Sequence, residues 1–88
     1  MEIKDFNKNQ CIKLGTHNAG FNTQEILWKS NGEHDFFIET VNHLGNTIAT
    51  QNIRKLPADW AYEWALGSLN EHELDYAMQY FNREDAIL

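Results

Sequence analysis

Four histidines, one cysteine and thirteen carboxylates are the groups in this 88-residue chain that could bind metal, attack a substrate or move protons. Their spacing argues against all three. Cys11 and His17 do not form a close ligand pair, and zinc sites with a single thiol need histidines at short, regular spacing. His34 and His43 fall near opposite ends of one strand-like run, about 30 Å apart by strand rise, so they cannot share an ion. His72 stands alone in a helical segment. No metal and no other cofactor is therefore expected. Cys11 reads as a small core residue rather than a nucleophile, and a lone cysteine cannot form an intrachain disulfide. The carboxylates Glu71 and Asp75 lie one helical turn apart, but such pairs arise freely in an acidic chain. There is no Gly-x-Ser-x-Gly elbow, no phosphate-binding loop and no His-Glu-x-x-His, so no enzyme is expected.

The remaining chemistry is that of contact. Trp60 and Trp64 lie one turn apart, and Tyr62, Leu66 and Leu69 make a second stripe. From Leu56 to Leu69 only Asp59 and Glu63 are charged. A helix that is apolar on two sides is either buried or shared with a partner, and so small a domain has little chain with which to bury it. Tyr76 and Tyr80 lie opposite the stripe of Leu74, Ala77, Met78 and Phe81, and Ile87 joins them if the helix continues. The candidate partner-binding residues are accordingly Trp60, Tyr62, Glu63, Trp64, Glu71, Glu73, Asp75, Tyr76, Tyr80 and Glu84. The plainer alternative stays open: one stripe meets the sheet, the other meets the second helix, and the acids form a solvated face.

The elements that position these residues are legible. Cys11-Ile12-Lys13-Leu14 is a short strand, ended by Gly15 and the Asn18-Ala19-Gly20 turn signal. Gln24–Lys29, His34–Asn42 and Thr47–Ile53 are further strands, rich in aromatic and β-branched residues. Asn31-Gly32 predicts a two-residue hairpin that sets Leu27 opposite Phe36 and Ile26 opposite Phe37. Gly45 supplies a left-handed position in the next turn. Both faces of the central hairpin are then apolar, one lying under helices and the other covered by the N-terminal segment or exposed to a partner. Pro57 opens a helix at its first position, and Gly67 closes it. Asn70 and Glu73 form a capping box for a second helix, with Leu69 and Leu74 as a hydrophobic staple. The expected fold is α+β: an antiparallel sheet of three to four strands over about residues 11–53, then helices at about 57–67 and 70–84 packed on one face. The whole is a single domain, with residues 1–10 as a loose lead-in.

Charge sharpens the picture. Residues 1–56 hold six acids and six bases, whereas residues 57–88 hold seven acids and Arg83 alone, so the net charge of −6 belongs to the last third. Direct nucleic-acid binding needs clustered Lys and Arg, and Arg54-Lys55 is the one close pair. The opening MEIKDF has no apolar core and no cleavage signal, and no apolar run is long enough to span a membrane. A cytoplasmic setting is expected, in a host cell if the gene is phage-borne.

No stretch matches a family motif. In gross features (small, acidic, single-domain, without catalytic motifs) the chain resembles the inhibitors that phages and mobile elements direct against host defence, anti-CRISPR proteins among them. Antitoxins and bacteriocin immunity proteins share those features. The expectation is a protein-binding inhibitor or adaptor that blocks a larger partner with a basic or nucleic-acid-binding surface. The alternatives are a structural homodimer or assembly subunit, and an antitoxin or immunity-type protein.

Overall fold

The computed structural model describes residues 6–86. Four antiparallel strands, β1 (Cys11–Gly20), β2 (Thr23–Ser30), β3 (Phe36–Leu44) and β4 (Thr47–Leu56), pair in sequence order. Two helices follow, α1 (Ala58–Ser68) and α2 (Glu71–Met78). This is the expected α+β arrangement, with the helices covering one sheet face. No helix among the described residues is long and apolar enough to cross a membrane.

Alternation along the strands divides the side chains between two faces. Leu14, Leu27, Phe36 and Ile38 are buried against Ala61, Ala65, Leu69 and Ala77, with Ile12, Leu56, Leu74, Met78 and Phe81 filling the margins. Phe36 is fully buried and stacks on Phe81, centroids 4.8 Å apart and rings nearly parallel at 4°. Burying such a ring contributes about 1.5–3 kcal/mol. The other face carries Trp28 and Phe37, a directly opposed pair on β2 and β3.

Several local expectations need correction. Gly15 does not end β1, which runs on to Gly20. A Cβ at Gly15 would meet Leu69 Cδ2 at 2.5 Å, so the glycine is there to let the β1 backbone approach the chain between the helices. The true hairpin turn is Phe21-Asn22, with Asn22 in the left-handed region at φ 58°. Asn31-Gly32 is not a two-residue turn. The loop extends to Asp35, whose carbonyl accepts from the Ser30 amide at 2.9 Å, and Lys29 Nζ donates to the Glu33 carbonyl at 2.7 Å. Leu27 therefore pairs with Ile38 and Lys29 with Phe36. The slip is two residues, so every side chain keeps its face. Gly45 is left-handed as expected, at φ 63°.

Pro57 precedes α1 as its N-cap rather than occupying the first turn. The second helix stops at Met78, well short of residue 84, and a 3-10 turn spans Arg83–Ala86. Its end lets Phe81 fold back over Phe36. Within residues 6–10, a 3-10 turn at Lys8–Gln10 is capped by Asn7, and Phe6 packs on Phe37 and Trp28 with centroids 5.3 and 6.0 Å away. Of the two possibilities for the second sheet face, the N-terminal segment covers this part of it. The first half of the expected lead-in, residues 1–5, lies outside the described residues, as does Ile87.

Candidate protein-docking surface

The side of α1 that meets the sheet is a stripe of small residues, Ala58, Ala61 and Ala65, at i, i+3 and i+7. Alanines let the helix axis come close to the aromatic floor below. That spacing turns Asp59, Trp60, Glu63 and Leu66 outward. The two tryptophans do not share a fate. Trp64 is half-buried, with His17 edge-on at 6.2 Å, and its indole N–H donates to Glu25 Oε1 at 3.4 Å. Trp60 is 63% exposed. The second stripe also splits. Tyr62 packs edge-on against Phe81 at 5.4 Å and Leu69 is buried, while Leu66 is exposed. The expectation that each stripe acts as a unit is therefore wrong, because the alanines and not the large residues decide which way the helix faces.

On α2, Asn70 Oδ1 accepts from the Glu73 amide at 2.8 Å, as an N-cap should. The reciprocal half of the box differs from expectation. Glu73 Oε1 accepts from the Asn70 side-chain amide at 3.3 Å, and Oε2 accepts from the Thr16 backbone N–H of β1 at 3.3 Å. Glu73 thus ties the helix to a strand edge and is less available to a partner. Glu71 and Asp75 are exposed on the outer side. The Tyr76 and Tyr80 hydroxyls lie 3.2 Å apart, and Tyr76 is 42% exposed. The hydrogen bond with Tyr76 holds the Tyr80 hydroxyl above its ordinary pKa of 10.0. Nothing is described of the Glu84 side chain.

Among the described residues, Asp59, Glu63, Glu71 and Asp75 have no cationic partner, whereas Asp85 is buried and taken up by the fold. Asp85 Oδ2 accepts from the Asn82 amide at 2.7 Å and from His34 Nε2 at 2.8 Å, fastening the C-terminal turn to the β2–β3 loop. On α1 and α2 together, four carboxylates without a cationic partner among the described residues are exposed, as are the rings of Trp60 and Tyr76 and the side chain of Leu66. No family model, curated protein or solved structure matches this chain.

Two further features were not anticipated. Glu39 is fully buried on the sheet face away from the helices. Its carboxylate accepts from Trp28 Nε1 at 3.1 Å and from the Thr50 hydroxyl, and it pairs with Lys8 Nζ at 2.8 Å. Burial alone pushes this carboxyl up, but Lys8, Thr50 and Trp28 together outweigh it and hold the group below 4.5. An ionised carboxylate with its oxygens already engaged is a structural fastening, not a proton acceptor for a substrate. The signal was present in the sequence: one acid inside the apolar run from Phe36 to Val41 must find partners.

The second feature is an end of the sheet without charge. Residues 14–24 and 40–53 contain no Asp, Glu, Lys or Arg. They build the β1–β2 turn, the β3–β4 turn and the strand ends beside them, joined where the Asn22 carbonyl accepts from the His43 amide at 2.8 Å. Phe21 is 93% exposed there, Leu44 62% and Ile48 64%.

Three of the four histidines have partners within the fold. His43 Nε2 meets Gln24 Oε1 at 2.7 Å, His34 serves Asp85, and His17 serves Trp64. No group of three or more His, Cys, Asp or Glu among the described residues could hold a metal. A polar hollow beside Cys11 is lined by Gln10, Ser30, Asn31, Glu33 and Asp35. The Ser30 hydroxyl and the Asp35 amide there bond within the loop itself.

Proposed function

We propose that this protein is a small binding protein, an inhibitor or adaptor, that docks the acidic outer side of its helix layer against a basic surface of a larger protein. The observation that carries the reading is the set of four exposed carboxylates without a cationic partner among the described residues, Asp59, Glu63, Glu71 and Asp75, on the same two helices as the exposed Trp60 and Tyr76. Asp59 and Glu71 lie in the first turns of α1 and α2, where the helix dipole favours them, but all four acids are exposed, and their field in solvent would steer a positively charged partner and set its register. Exposed tryptophan and tyrosine are the residue types that most often carry binding energy at such contacts. Occupation of the partner's basic surface would exclude anything else that uses it, nucleic acid included. Trp64, Tyr62 and Glu73, which the fold already employs, contribute less directly.

The test compares wild type with the variant Asp59→Lys/Glu63→Lys/Glu71→Lys/Asp75→Lys in affinity purification from the native host, with circular dichroism confirming the fold of both. A basic protein retained by wild type and lost from the variant supports the reading. The same set of proteins retained by both discards it.

A further inference from the structure

The sheet has two edges, and they are treated differently. β1 is closed at its centre: Glu73 takes the Thr16 amide, Leu69 sits on Gly15, and irregularities at Lys13/Gly15 and Asn18/Gly20 break the ladder geometry a further strand would need. Among the described residues, the half of β4 from Thr47 to Asn52 has none of this cover. From Thr47 to Asn52 every residue is exposed, and the strand forms the outer edge of the sheet. Natural edge strands are usually protected by charge, proline or a covering element. Arg54 and Lys55 protect the far half of β4, where they pair with Glu25 and Asp35. The near half has neither charge nor proline, and Ile48 stands exposed on it.

We propose that two copies of this chain pair weakly, by a two-fold axis, along the near half of β4. Charge selects the occupant. Each copy carries −6, so two copies can approach only through a surface that brings no like charges together, and the end built from residues 14–24 and 40–53 provides one. Antiparallel pairing about an axis at Ala49 sets Ala49 opposite its own copy and Ile48 opposite Thr50, all neutral, and keeps each side chain on its own face. The extra residue Gln51, where the register with β3 shifts, ends the ladder before Arg54 is reached. Because the centre of β1 is closed, each chain offers one open edge, so pairing stops at a closed dimer and does not propagate into a fibre. So short a ladder makes a weak complex, with a dissociation constant on the order of 100 µM. The acidic helix surface plays no part in it.

Sedimentation equilibrium of the full chain, run up to about 1 mM at low and high salt, tests this. Wild type is expected to be a monomer–dimer mixture whose dimer fraction rises as salt screens the net repulsion. Ile48→Lys, an exposed substitution that leaves the core untouched, is expected to weaken association by about tenfold or more. Gln79→Lys makes the same charge change at the C-cap of α2 and is expected to leave association intact. A wild type that stays monomeric at the highest concentration and salt overturns the proposal. So does a dimer indifferent to Ile48→Lys, or one lost with Gln79→Lys.

Discussion

Arg54 reaches across β3 to Glu25 at mid-sheet, while Lys8 with Glu39 and Lys55 with Asp35 join the sheet to the N-terminal turn and the β2–β3 loop. His34 and Asp85 add a hydrogen bond at the same end. The opposite end has no charged residue, and it exposes Phe21, Leu44 and Ile48. Both ends are rich in large apolar residues, so composition does not separate them. Cover does. The first end is overlaid by Phe6, Lys8, α1 and the C-terminal turn, and its aromatic rings are spent on folding. The second is bare at its tip, so Phe21, Leu44 and Ile48 stabilise the fold little and remain available for contact. Exposure of a Phe or Trp thus has different meanings in this chain, depending on whether charge surrounds it.

Substitutions can break this contrast. The largest loss is expected from Phe36→Ala, which empties the space between Phe81 and His34 and should cost about 3–5 kcal/mol in chemical denaturation. Glu39→Ala follows. It leaves Trp28 Nε1 and the Thr50 hydroxyl without their acceptor, and should cost about 1–3 kcal/mol because Lys8 can turn to water. The same residue gives a pH dependence. Its carboxyl is held below 4.5, so its ionised form contributes stability above the ordinary carboxylate range, and that contribution is lost as pH falls through the lowered value. Acid unfolding curves of Glu39→Gln should show less of this loss than those of wild type. Gly15→Ala should cost about 1–3 kcal/mol, since Leu69 must move. Asn70→Ala should cost about 1 kcal/mol through loss of the α2 cap. Phe21→Ala is expected within about 0.5 kcal/mol of wild type, despite removing a whole ring. A large loss there would erase the distinction between the two ends.

Much of this was legible in local sequence. Pro57, Asn70 and Glu73 placed the helix starts, and the β-branched and aromatic runs placed the strands. What escaped depended on distant partners. Gly15 looked like a strand terminator because Leu69, which requires it, lies far along the chain. Asn31-Gly32 looked like a tight turn because nothing local showed that Lys29 and Ser30 would bond to Glu33 and Asp35 and widen the loop. α2 ends early without a stop signal, and beyond its end Phe81 stacks on Phe36, a partner distant in the chain. Of the candidate contact residues, Trp60, Glu63, Glu71, Asp75 and Tyr76 are exposed, while Tyr62 and Trp64 are partly buried in ring contacts that spacing alone could not reveal. The uncharged end was visible as two blank runs in the charge pattern, although only the pairing of the strands brings them together.

The charge on the helix layer is tested most directly by the salt dependence of affinity for the captured partner, measured by surface binding between about 0.05 and 0.5 M sodium chloride, where the Debye length falls several-fold. Docking through Asp59, Glu63, Glu71 and Asp75 should weaken by about tenfold or more across that range, and the charge-reversed variant should not reproduce the slope. Wild-type affinity that is flat with salt would contradict the role assigned to these four carboxylates.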